Sequence, residues 1–201
     1  MPAAELEAPF AELCASAGVV VRRGVSIDGL TGRGHFDFEP LDESGEQALS
    51  TLRQVFEALK GDPDAMSVKP SRPIKPDFVL PDTRHVLELD EEQHFTTARL
   101  RALDCYESGN SLLFDIDEYR RLCERHLARA DNAFAHKQAA EFPGPHGRQR
   151  QRAYFDAVRD LLVPELGYVG VFRVPVPHRE IHRGFEALQE NPAWPYWERV
   201  D

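Results

Sequence analysis

The stretch DFVLPDTRHVLELDEEQHF, residues 77–95, decides how this chain is read. Two short apolar runs flank Pro81-Asp82-Thr83, where proline presets φ and the Asp and Thr side chains bond nearby backbone, so a hairpin is expected. With a two-residue loop at Asp82 and Thr83, the numbers of opposed positions sum to 165 and Asp77 faces Glu88. Side chains alternate along a strand. Asp77, Val79, Val86, Glu88 and Asp90 therefore share one face, and Phe78, Leu80, Leu87 and Leu89 share the other, which is expected to meet the core. Opposed Cβ atoms lie ~5 Å apart and diagonal ones ~7 Å, close enough for three carboxylates to converge on one ion.

Such a cluster is unfavourable when empty, because like charges raise one another's pKa and are poorly solvated together. A divalent cation relieves it. Oxygen ligands with positions left over for water and phosphate suit magnesium or manganese, which can activate water and stabilise charge on a phosphate oxygen. Asp77, Glu88 and Asp90 are the expected metal ligands. His94, four residues after Asp90, titrates in a range suited to proton transfer or phosphate orientation, and Gln93 is a candidate contact to the scissile phosphate.

Working outward, residues 4–17 repeat apolar positions at helical spacing, and residues 19–40 read as a strand or two joined by glycine turns. SGEQALSTLRQVFEALKG, residues 44–61, predicts a helix with Ser44 as its N-cap and Gln47 completing a capping box. Residues 62–76 read as a proline-punctuated loop. Further helices are expected over 96–107, 117–130, about 148–162 and about 179–189, with strands at Leu112–Ile116 and over 168–176. Arg148, Arg152 and Arg159 on the predicted helix at about 148–162 are candidate phosphate contacts, with others of its charges pairing to Asp156, Asp160 or solvent.

The chain has 201 residues, 42 % of them hydrophobic, enough for one sizeable core. With 34 acidic against 24 basic residues, its net charge of −10 argues against a protein that coats nucleic acid through its overall field, while leaving room for a local basic face. Three scattered cysteines predict neither disulfides nor a cysteine-rich zinc site. The acidic start and the lack of a long apolar run predict a cytoplasmic protein with no membrane span.

PDF at 76–78, a strand ending in Glu88-Leu89-Asp90, and then Gln93-His94-Phe95 together resemble the PD-(D/E)XK nuclease superfamily, in the manner of its very-short-patch-repair endonuclease branch. Glu46 looks like that superfamily's helix glutamate, and RAYFDAVRDLLVPELGYVGVFRV is similar to its Arg/Asp-bearing helix and final core strand. The resemblance implies an α/β (α+β) fold: a restriction endonuclease-like core with a central mixed β-sheet flanked by helices. It implies a Mg²⁺- or Mn²⁺-dependent endonuclease acting on DNA in bacterial defence, restriction or repair. Asp90 stands where the superfamily usually has Lys, and Glu91 where the branch usually has Gly. On this reading the chain is one domain, residues 1–201, with core segments at about 40–95 and 148–176. A helical insertion at about 96–147 is available to a partner or a second copy, and a tail covers 177–201.

Two rival readings have their own residues. The missing Lys and the acidic balance suit a nuclease-fold protein that binds nucleic acid or protein without catalysis. His35 and Asp37, as His-x-Asp, suit a non-haem iron oxygenase.

Overall fold

The computed structural model describes residues 4–107, 112–133 and 135–196. Its elements in chain order are α1 (Ala4–Ser16), a 3₁₀ turn (Gly34–Phe36), α2 (Glu43–Ala58), α3 (Pro63–Ser67), β1 (Phe78–Leu80), β2 (His85–Asp90), a second 3₁₀ turn (Glu92–His94), α4 (Thr97–Leu103), α5 (Ile116–Asn132), α6 (Gly147–Glu165), β3 (Gly170–Pro175) and α7 (Ile181–Gln189). This is a mixed α/β architecture around a small mixed sheet.

The hairpin forms in the expected register. Phe78 pairs with Leu87, Val79 with Val86 and Leu80 with His85, antiparallel. Pro81 to Arg84 make the turn, and Arg84 absorbs the reversal with a left-handed φ of 55°. β3 then lies parallel to β2 on its other side, with Glu88 beside Arg173 and Asp90 beside Pro175. The outer edge of β1 is paired in turn: Arg22 and Val79 exchange backbone hydrogen bonds of 2.8 and 2.9 Å.

Both faces of this sheet are covered, which corrects the expectation of one apolar face toward the core. Phe78, Leu80, Leu87, Leu89, Phe172 and Val174 pack with Leu6, Phe10, Phe185 and Leu188 of α1 and α7. The opposite face, with Val79, Val86 and Val171, packs into a larger core made by α2, α4, α5 and α6. All six residues of β2 are buried. A strand next to a parallel partner is normally covered on both sides, because the crossover helices must lie somewhere. Glu88, Asp90 and Arg173 are thus interior ionisable groups.

Helix ends follow side-chain chemistry, with three corrections. The cap of α2 is Asp42, whose carboxylate accepts the Gly45 N–H at 3.0 Å, while Ser44 donates instead to Glu165. Asp62 as N-cap and Pro63 at the first position turn part of the expected loop into α3. Leu112–Ile116 is not a strand, since Asp115 accepts the N–H groups of Asp117 and Glu118 and so starts α5 at Ile116. Between Val19 and Phe38 the expected strands reduce to two isolated bridges and a 3₁₀ turn. The helices of segment 96–147 are built into the central core, through Ala98, Ala102, Leu103, Tyr119 and Leu122. Among the described residues no helix is long and apolar enough to cross a membrane.

Candidate metal centre

The carboxyl end of β2 delivers Asp90 into the helical core at 0 % exposure, with Glu88 one pleat earlier at 3 %. The 3₁₀ turn that follows folds the chain back, so His94, four residues on, returns over Asp90: its Nδ1 lies 3.2 Å from Asp90 Oδ1. From across the core, α6 presents Asp156, whose Oδ2 is 3.1 Å from the same His94 Nδ1. One ligand atom from each of Asp90, His94 and Asp156 falls within 4.8 Å of the others, the closed group of this kind among the described residues. Asp156 Oδ1 is buried and has no hydrogen-bond partner.

Asp77 and Glu88 adjoin this group. The Asp77 N–H donates to Glu88 Oε1 at 3.2 Å, and Asp77 Oδ2 accepts the Leu89 N–H at 2.8 Å, so Asp77 also stitches the two strands together. Burial raises the Asp77 carboxyl above its usual range, and the Leu89 N–H only partly offsets this. Burial raises Glu88 more strongly, against the pull of Arg159 and with the push of Asp77. Arg159 reaches in from α6, with Nε 3.3 Å from Glu88 Oε1 and Nη1 3.7 Å from Asp156 Oδ1. Asp156 goes the other way. Burial would raise it, but the charges of His94 and Arg173 outweigh burial and hold it well below the usual carboxylate range.

Behind the centre runs a chain of buried charges. Arg173 Nη1 donates to both oxygens of Asp90, at 2.9 and 3.0 Å, and its Nε donates to Asp160 Oδ1 at 2.6 Å. Asp160 Oδ2 also accepts from Arg99 and from the Tyr106 hydroxyl, each at 2.7 Å. The Tyr119 hydroxyl donates to Asp90 Oδ2 at 2.6 Å. Every one of these side chains is buried. Such a network survives only when its members satisfy one another, and here they hold Asp90 in one orientation.

The sequence-derived residues divide accordingly. Asp77, Glu88, Asp90 and His94 lie together; the third closing partner is Asp156 from α6. Gln93 donates from Nε2 to Glu91, while its carbonyl accepts from Arg152 at 3.2 Å. Thr96 is the cap of α4. Glu46 is exposed in the first turn of α2, where an acid offsets the positive helix end. Arg148 is paired with Gln151, whereas Arg159 stands in the centre itself. His35 Nδ1 meets the Tyr154 hydroxyl at 2.7 Å, and Asp37 accepts from Thr31 and Ser71, so the His-x-Asp pair is committed to separate contacts.

From the sequence, Asp156, Arg173, Tyr119 and Arg99 receive no role in the site, and two signals point to Arg173 and Asp156. Arg173 interrupts the apolar run VGVFRVPV just as Glu88 interrupts VLELD. Asp156 and Asp160 fall on the same helical stripe as Ala153 and Ala157, a stripe of small residues that lets another element come close.

Together, fold and site define a mixed α/β protein with a buried Asp-His-Asp centre at the end of its middle strand. Residues 54–188 match a family of unknown function (DUF7255), and the chain belongs to that family. The matched stretch runs from the second half of α2 into α7 and contains every residue of the centre. No curated protein and no solved structure matches the chain.

Proposed function

We propose that the chain is a metal-dependent phosphodiesterase acting on nucleic acid, with Asp90, His94 and Asp156 holding the ion and Asp77 and Glu88 beside it. The observation that carries this reading is that one ligand atom each of Asp90, His94 and Asp156 lies within 4.8 Å of the others, with Asp156 Oδ1 making no hydrogen bond and having only the Arg173 and Arg159 guanidiniums, at 3.6 and 3.7 Å, for company. A buried carboxylate oxygen with no hydrogen bond is incompletely satisfied by guanidiniums at that distance, and a directly bound cation would complete it. Two carboxylates and one imidazole make a donor set that accepts Mn²⁺ more readily than Mg²⁺, which prefers oxygen throughout. A divalent cation there would supply Lewis acidity toward a phosphate oxygen and a lowered pKa for bound water.

The protein's own groups have distinct parts. Arg173 and Tyr119 fix Asp90 so that its carboxylate need not reorganise. His94 turns Nδ1 toward the two aspartates, the side from which it would hold the ion, leaving its Nε2 N–H to hydrogen-bond a phosphate oxygen. Arg159, whose side chain is 15 % exposed, can exchange its contact with Glu88 for a phosphate oxygen. The order helix, antiparallel hairpin, helix, parallel strand supports a restriction endonuclease-like core, and DNA cleavage in bacterial defence or repair follows from the sequence resemblance.

A second reading has its own observation: Arg173 and Tyr119 already occupy both oxygens of Asp90, as suits a nuclease-fold protein that binds without cutting. One experiment separates the two. Chelator-treated protein is supplied with Mn²⁺ or Mg²⁺ and offered single-stranded, double-stranded and mismatched DNA and RNA. Cleavage that needs the metal, is stronger with Mn²⁺, and disappears in Asp156→Asn and Glu88→Gln with the fold intact supports catalysis. Binding indifferent to metal and to both substitutions, with every substrate intact, establishes the binding role instead.

A further inference from the structure

We infer that the cavity between the end of α2, α4 and the start of α6 binds a small phosphorylated molecule. The cavity measures about 510 Å³ and is walled by Lys60, Arg101, His146 and Arg150 together with Leu59 and Pro143. That volume is in the range of pockets for single small ligands.

Its cations outnumber its one acid, Asp131, and among the described residues Arg150 touches no carboxylate. Arg150 is 9 % exposed, yet its contacts are all neutral: Nη1 donates to the Leu59 carbonyl at 3.1 Å, and Nη2 to the carbonyls of Phe142, Pro143 and Pro145 at 3.1, 2.5 and 3.1 Å. Its Nε is buried without a partner. Burial and then the charge of Arg101 make Arg150 harder to keep ionised than an ordinary arginine, so the two guanidiniums repel within one cavity. Asp131 is the acid in the wall, and its oxygens are taken by the Thr97 N–H at 3.0 Å and the Thr97 hydroxyl at 2.6 Å, which tie it to the start of α4.

The helix geometry adds to the same polarity. α6, 19 residues long, opens here with His146 as its N-cap and has no acid in its first turn, so the positive end of its dipole meets arginines. Gln149 turns Nε2 to three backbone carbonyls, which leaves Oε1 to accept from His146 Nδ1 at 2.7 Å. The His146 Nδ1 is therefore a donor, and Nε2 is the atom left for a ligand. An anion in the cavity would offset the repulsion between Arg101 and Arg150, and Leu59, Ala98 and the two prolines, Pro143 and Pro145, offer apolar surface to the uncharged part of the molecule. The cations line one cavity of about 510 Å³, a space that suits a small phosphate ester better than a nucleic acid strand. The cavity is separate from the metal centre: Asp156 is six residues beyond Arg150 on α6, ~9 Å along the helix axis.

The test uses the full chain in the presence of chelator, with ATP, inorganic pyrophosphate, adenosine and a single-stranded oligonucleotide as probes, read by calorimetry and by the thermal midpoint. Arg101→Gln and Lys60→Gln are the variants of choice because both side chains are exposed, whereas replacing Arg150 would strand four carbonyls. ATP and pyrophosphate are expected to bind and raise the midpoint, adenosine to do neither, and Arg101→Gln to weaken binding about tenfold. Asp156→Asn should leave ATP binding unchanged. No binding at concentrations up to about 5 mM overturns the inference, as does binding indifferent to Arg101→Gln and Lys60→Gln. So does binding of the oligonucleotide alone, or loss of ATP binding in Asp156→Asn, which would move the phosphate site to the metal centre.

Discussion

The two faces of the sheet are equally dry and chemically opposite. Against α1 and α7 the strands place Phe78, Leu80, Leu87, Leu89, Phe172 and Val174, an apolar set joined by the buried His85 ring stacked on Phe172. Against α4, α5 and α6 they place Glu88, Asp90 and Arg173 among the valines. The first face is stabilised by area removed from water, a non-directional effect of ~25 cal/mol per Å². The second face loses hydration worth several kcal/mol per ion and regains it only through good geometry, so an apolar set of the same volume would do as well or better. The difference teaches that the charged stripe is not there to fill space. It holds carboxylates in fixed places.

The sharpest way to break this comparison uses neighbours on β3. Arg173→Met should lose ~3–5 kcal/mol in urea denaturation at neutral pH, because Asp90 and Asp160 are left buried without their cation. Phe172→Ala, on the other face, should lose a similar ~3–5 kcal/mol through its cavity. Lowering the pH toward about 4 should recover part of the Arg173→Met loss, as the stranded carboxyls take up protons, and none of the Phe172→Ala loss. Equal responses would falsify the distinction between the faces. Next in size is Tyr119→Phe, which removes a hydrogen bond to an ionised carboxylate and should cost ~1.5–3 kcal/mol while leaving the aromatic packing against Phe95.

Glu88→Gln should have the opposite sign. Burial raises the Glu88 carboxyl, so its protonated form is favoured in the folded protein; its stabilising contribution is complete below its ordinary pKa of 4.5 and fades as pH climbs through the raised value. At neutral pH the substitution should therefore gain about 1 kcal/mol while removing metal-dependent cleavage, a trade seen where a site is built against stability. A stability profile that keeps its downward slope above about pH 5 in the variant would assign that slope to another group. The smallest effect belongs to Arg179→Ala. Arg179 pairs with Glu5 at 2.9 Å on the exposed rim of the apolar face, and losing that pair should leave the urea midpoint unchanged.

Much of this arrangement was legible along the chain. The alternation in PDFVLPDTRHVLELD fixes the hairpin register and brings Asp77 to Glu88, because a period of two leaves little freedom once the turn is placed. The major helices announce themselves by their apolar spacing. The burial of the carboxylate face was hidden, since it depends on β3 arriving parallel to β2 from eighty residues downstream, a pairing that no local pattern encodes. For the same reason Asp156 stayed out of the expected ligand set: it joins Asp90 and His94 only when α6 docks. Leu112–Ile116 was misread because a short apolar run fits strand or helix alike, and the Asp115 cap decided it.

Asp90, Arg99, Asp160 and Arg173 come from four different elements, and this has a consequence for how the chain reaches its native state. Arg99 and Asp160 can pair as soon as α4 meets α6, but until β3 is seated beside β2 Asp90 lacks Arg173. The hairpin and the helices can collapse early through nearby contacts, and the Asp90–Arg173–Asp160 link, which closes a large loop, is expected to be made late. Contacts made after the barrier show in the rate of coming apart and hardly at all in the rate of assembly. Arg173→Met is accordingly expected to speed unfolding and leave refolding nearly as fast as before, which makes the charged interior a clasp that sets how long the folded molecule lasts.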